Sequence, residues 1–175
     1  MTNAQRRYQS AMERLYLICI VISGAALVAI TLAIPLGVFM RYVMNRALSW
    51  PEPASVIMMV IFSFVGGAAV YRANVHIAVE ALLNAVSPSV RKLMLQVVNA
   101  LMAIMALFML GYGIHLCVVV QNSTIAEFPW LSVAYVYAPI PVAGLLTLLF
   151  LIERVWVGDP PPTSIMYTDQ AAELE

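Results

Sequence analysis

The sequence predicts an all-α integral membrane protein with four transmembrane helices, both termini cytoplasmic (N-in/C-in), and a short amphipathic interfacial helix between spans 2 and 3. Three observations carry this expectation. Of 175 residues, 63% are hydrophobic and only 10% charged, and the mean hydropathy is +0.91, which excludes a soluble domain. The charges are spaced so that four uncharged stretches remain, and an unpaired ion at the bilayer centre costs several kcal/mol, so charges mark span ends. The basic residues are distributed unequally between the connections, which sets orientation. With nine Lys+Arg against nine Asp+Glu there is no basic excess to neutralise phosphates, so nucleic acid is not an expected partner.

The first span is Leu15 to Met40: 26 uncharged residues separate Arg14 from Arg41, more than the roughly 20 needed to cross the hydrocarbon core. It is too long for a cleaved signal segment and has no small-residue cleavage site after it, so it is expected to be retained as an anchor. Pro35 removes a backbone donor and frees the Thr31 carbonyl, which predicts a bend. The second span is about Ala54 to Tyr71, between Glu52 and Arg72, and Pro53 sits at its start, where a missing N–H is harmless. Residues 93–126 are 34 uncharged positions, too many for one perpendicular helix. The polar run Gln121, Asn122, Ser123, Thr124 therefore ends the third span near Val120. The fourth runs about Leu131 to Ile152, with Pro129 and Trp130 at its entrance.

Between spans 2 and 3, Val75, Val79, Leu82, Leu83 and Val86 form one stripe, and His76, Glu80, Asn84 and Ser87 form the opposite face. That is an amphipathic helix over about 73–87, too short to span and suited to the membrane surface. Residues 1–155 are thus expected to form the membrane domain. Residues 156–175, with three consecutive prolines and four acidic residues, are expected to form a disordered cytoplasmic tail. An N-terminus inside places seven basic residues in the cytoplasm and two outside, as the positive-inside bias prefers. Cys19 and Cys117 then lie near opposite faces and do not pair.

No Asp, Glu, Lys or Arg falls inside the four predicted spans, whereas ion-coupled carriers and proton relays place such groups near the midplane. No phosphate loop, nucleophile elbow or closely spaced Cys/His ligand set is present, so neither enzyme activity, metal nor cofactor is expected. His115 is the one ionisable side chain within a span, read either as a hydrogen-bonded helix-end histidine or as a haem ligand. Small residues form two stripes. Asn99, Ala103, Ala106, Leu110 and Gly113 share a face of the third span, and Ser63 with Gly67, adjoined by Gly66, shares a face of the second. Such stripes allow close helix approach, either within the chain or with another subunit. Trp50, Trp130, Trp156, Tyr42 and Tyr71 sit at span edges as an aromatic belt.

Three segments, RYVMNRALSWPE at 41–52, FVGGAAVYRANVHIAVEALL at 64–83 and FPWLSVAYVYAPIPVAGLL at 128–146, resemble the small membrane subunit, the Q component, of tripartite ATP-independent periplasmic (TRAP) transporters. The resemblance covers about residues 10–155 and departs at Pro53, where the family commonly carries a second acidic residue after the one matched by Glu52. It implies a bacterial inner-membrane location and a non-catalytic scaffold subunit of a secondary transporter. The implied partners are a large multi-span membrane subunit (M component), which carries the substrate and sodium sites, and a periplasmic binding protein that delivers an organic acid; membrane lipids surround the assembly. On the matched positions, Arg41, Asn45, Trp50 and Glu52 would fix the outer end of spans 1 and 2, with Arg41 and Glu52 within reach of each other. Arg72 and His76 would fix the inner end and aim the interfacial helix; the Ser63, Gly66 and Gly67 face is read from residue spacing alone, as a contact within the chain or with another subunit. The rival reading is a membrane anchor of a haem or quinone redox complex, for which a Soret band stoichiometric with protein is the test.

Overall fold

The computed structural model describes residues 3–73 and 87–158. The expected interfacial helix, with His76, and the tail beyond residue 158 lie outside the described residues. Within them the chain is mostly helical. α1 (Asn3–Tyr42) and α2 (Pro51–Ala73) are joined by a short connection, and α3 (Pro88–Val120) leads into a hairpin of β1 (Thr124–Ile125) and β2 (Phe128–Ser132). The short α4 (Val133–Tyr137) and then α5 (Pro139–Trp156) complete the chain. Four segments are long and apolar enough to cross a membrane: α1, α2, α3, and α4 with α5 taken together.

The helices pack as a row rather than a closed bundle. α1 lies on α2, α2 on α5, and α5 on α3, so α1 and α3 stand at its opposite edges. α5 is the centre, burying Ala143, Gly144, Leu146, Thr147, Phe150, Leu151 and Glu153. On α1 the buried residues are Met12, Tyr16, Cys19, Ser23 and Ala26, spaced four, three, four and three. That spacing is the seam of a helix packed nearly antiparallel to its neighbours α2 and α5.

α1 begins twelve residues before the apolar stretch that defines the first span. At 1.5 Å per residue its 40 residues reach about 60 Å, roughly twice the hydrocarbon thickness. The extension is held by α5. The Tyr8 hydroxyl donates to the Leu149 carbonyl (3.0 Å), the Tyr8 and Trp156 rings meet edge to face at 5.8 Å, and Gln5 Nε2 donates to the Trp156 carbonyl (3.3 Å). Polarity alone hides this. Tyr8, Met12 and Tyr16 continue the apolar seam among Arg6, Arg7, Glu13 and Arg14. Both ends of the described chain thus meet at one end of the row, the terminal end; the β-hairpin and the α1–α2 connection lie at the other, the hairpin end.

The hairpin was not foreseen in the sequence, which reads as helix, polar break, helix. Thr124 pairs with Ser132 and Ile125 with Phe128, a shifted register across a segment in which Pro129 has no N–H to donate. Ser132 anchors it: its hydroxyl donates to the Gln121 carbonyl (2.7 Å) and accepts from the Ala134 amide (3.2 Å), capping α4. Strands this short leave no readable period.

α3 meets α5 backbone to backbone. A Cβ built on Gly144 would lie 2.8 Å from the Ala106 oxygen and the Leu110 nitrogen, and one on Gly113 would lie 2.8 Å from Pro141 Cδ. The stripe on the third span is therefore internal to the chain through Ala106, Leu110 and Gly113. Gly111, on another face of the same helix, has nothing within 4 Å. Gly144→Ala is expected to destabilise the chain by about 1–3 kcal/mol through overpacking, whereas Gly111→Ala leaves it unchanged or slightly firmer. Unfolding midpoints in detergent test the contrast; equal midpoints for both variants would refute the close contact.

Candidate functional site

At the terminal end, the last turns of α2 and α5 place Arg72 and Glu153 face to face. Arg72 Nε lies 2.7 Å from Glu153 Oε2 and its Nη2 lies 2.8 Å from Oε1, a two-pronged ion pair. The side chains are 2% and 1% exposed. The guanidinium carbon also lies 5.2 Å from the Tyr16 ring centroid and 5.7 Å from that of Phe150, so α1 contributes an aromatic face to the cation. Around it sits the apolar core of Met12, Tyr16, Cys19, Val65, Ala68, Ala69, Leu146 and Phe150. Three helices are thus clamped at one depth by a charge pair with no net charge.

Arg72 was expected to act with His76, which lies outside the described residues. Glu153 was missed, because it reads as a flanking charge beside Arg154. A depth argument finds it: the second and fourth spans run in the same direction, so charges at their C-terminal ends share a level.

At the hairpin end, Arg41 and Glu52 stand 3.6 Å apart with side chains 52% and 81% exposed, a pair worth little in stability. Asn45 takes the left-handed conformation (φ 51°), and the Arg46 amide returns to the Met40 carbonyl at 2.9 Å, closing the end of α1. The Trp50 carbonyl accepts the Ala54 amide (3.0 Å) at the entry to α2, and Pro51 packs fully buried beside Gly37. Asn45→Gly is expected to be nearly neutral and Asn45→Val to lose about 1–2 kcal/mol through the left-handed backbone. Matching midpoints for the two variants would show that the turn is not strained.

On the terminal half of the row α1 and α2 flank a groove of about 340 Å³ that reaches Tyr16 and Ala73. Ser23 and Gly24 line it from α1, and Phe62, Ser63, Gly66 and Gly67 from α2. The expected small-residue face splits here. A Cβ on Gly66 would come 3.2 Å from Ser23 Oγ, so Gly66 faces inward; Gly67 and Gly24 have nothing within 4 Å. Ser63 and Gly67 are exposed. The Ser23 hydroxyl is buried, with no hydrogen-bond partner among the described residues.

Chemistry is sparse elsewhere. His115 lies on the exposed face of α3, and among the described residues no three His, Cys, Asp or Glu side chains cluster to hold a metal. Cys19 is buried near the terminal end. Cys117 donates to the Ala134 carbonyl (3.6 Å) near the hairpin; both thiols are free. Of the residues singled out in the sequence, Arg41, Asn45, Trp50 and Glu52 gather at the hairpin end, while Ser63, Gly66 and Gly67 line a groove that runs to Tyr16 and Ala73, beside Arg72 at the terminal end.

Comparison with known proteins adds one finding. The model of a family described as tripartite ATP-independent periplasmic transporters, DctQ component, matches residues 30–159. No curated protein matches the chain.

Proposed function

The chain belongs to the DctQ family of TRAP transporter components, which work with a large membrane component and a periplasmic binding protein, and from that membership we propose that it is a non-catalytic scaffold subunit of a sodium-coupled organic-acid importer. In this reading it lies in the bacterial inner membrane with both termini cytoplasmic. It extends the stationary frame against which the large subunit's transport domain moves, and neither binds nor carries the substrate.

The observation that carries the proposal is the combination of a neutralised charge pair and an unfilled groove. Arg72 and Glu153 satisfy each other inside the protein, where they stiffen the terminal end and leave neither group free to handle a substrate ion. The α1–α2 groove is lined by apolar and very small side chains, suited to a helix that must approach closely in lipid, where burial of apolar surface gives no drive. Orientation is supported by charge: the terminal end carries most of the basic residues.

Reconstitution is the test. Liposomes holding only this chain are expected to take up no organic acid under a sodium gradient. Uptake is expected when the large subunit and the binding protein are added, and to fall when this chain is omitted. Gradient-driven uptake by the chain alone overturns the scaffold reading.

A further inference from the structure

The topology sorts the charges between the two ends of the row. At the hairpin end stand Arg41, Arg46, Glu52 and Glu127, which cancel. At the terminal end the described residues supply seven basic groups (Arg6, Arg7, Arg14, Arg72, Arg91, Lys92, Arg154) against two acidic ones (Glu13, Glu153). Arg72 and Glu153 are spent on each other in the interior, so the excess lies outside them. Arg6, Arg7 and Arg14 are exposed on α1, and Arg91 and Lys92 are exposed on α3.

Position decides what this charge meets. α1 and α3 are the opposite edges of the row, so the charge surrounds the terminal end rather than pooling in one pocket. Arg14 and Lys92 each directly precede the first apolar residue of a span, Leu15 and Leu93, which sets them at the depth of lipid phosphates. Arg6 and Arg7 lie farther out by about 11–12 Å of helix, roughly one Debye length.

We propose that the terminal end is a lipid-recognition collar that gathers anionic phospholipid around the protein, with guanidinium and ammonium groups on phosphate oxygens. Arginine, which forms four of these five exposed groups, pairs with phosphate through two parallel hydrogen bonds. Charges on both edges of a row suit many lipids held loosely in the first shell rather than one bound tightly. The chain's own acidic residues Asp159, Asp169, Glu173 and Glu175 are the competing occupant. Lipid is favoured because its phosphates already lie at the depth of Arg14 and Lys92 and reach both edges at once. The collar does not depend on the identity of the transported substrate.

Trp156, half exposed beside Tyr8, reports on this end, whereas Trp50 and Trp130 sit at the other. Full-length chain with Trp50→Phe and Trp130→Phe is placed in phosphatidylcholine nanodiscs doped with brominated phosphatidylglycerol or, at equal mole fraction, brominated phosphatidylcholine. The anionic quencher is expected to quench Trp156 about twofold or more above the neutral one. The excess should fall toward parity in 1 M salt and in an Arg14→Gln, Arg91→Gln, Lys92→Gln variant, and should be absent for a chain keeping Trp130 alone. Parity in the full-length chain overturns the proposal. So does a preference that survives both high salt and the charge variant, or one that emerges only when the chain is ended at Gly158, which would mean that the tail covers the collar.

Discussion

Glu153→Gln is expected to destabilise the isolated chain by about 3–5 kcal/mol, and Arg72→Gln by a similar amount, because either change strands the partner's charge in a buried site. At 2% and 1% exposure neither side chain has water to fall back on. In a low-dielectric surrounding the lone ion loses both its Coulomb partner and its two-pronged hydrogen bonds. Arg72→Met with Glu153→Met removes both ions together and is expected to recover most of the loss, since apolar replacements of a buried pair are often neutral or better. The measurement is a double-mutant cycle on unfolding midpoints in detergent, which isolates the coupling between the two positions. Arg41→Gln is the control, because its exposed pairing with Glu52 contributes about 1 kcal/mol or less. Singles that unfold like the control, or a double variant worse than both singles, would show that the pair does not clamp α2 to α5.

That pair also marks the limit of what the sequence can tell. Charges that avoid lipid locate four spans by exclusion, and Arg14, Arg41, Glu52 and Arg72 did so. Exclusion says nothing about charges that find each other, because Arg72 and Glu153 lie 81 positions apart and no local pattern links them. The same reasoning explains α1. Arg6, Arg7 and Arg14 mask the Tyr8–Met12–Tyr16 seam, which becomes meaningful only when α5 supplies Leu149 and Trp156. The two small-residue stripes were alike in sequence. Tertiary contact separated them, filling the one on α3 with α5 and leaving part of the one on α2 open. At Asn45 the backbone takes the left-handed conformation that asparagine readily adopts, a local signal that a reading of span ends from charges passes over.

Gly67→Leu is expected to leave the isolated chain as stable as before while weakening its complex with the large subunit roughly five- to hundred-fold, the equivalent of about 1–3 kcal/mol of overpacking. The asymmetry rests on one helical step. Gly67 has nothing within 4 Å, so a leucine there enters the open groove beside Ser63 and Gly24 and displaces only what docks from outside. Gly66 differs. Its Cβ would already press within 3.2 Å of Ser23 Oγ, so Gly66→Leu should force α1 away from α2 and lower the unfolding midpoint of the chain alone. Arg46→Gln, at the exposed hairpin end, should alter neither quantity. Co-purification yield with the large subunit and the midpoint of the isolated chain, taken at equal expression, separate the three variants. Should Gly67→Leu co-purify like wild type, no partner helix enters the groove and lipid fills it instead. Should it melt the isolated chain, α1 and α2 close over Gly67 in the membrane, and the groove is not where the large subunit docks.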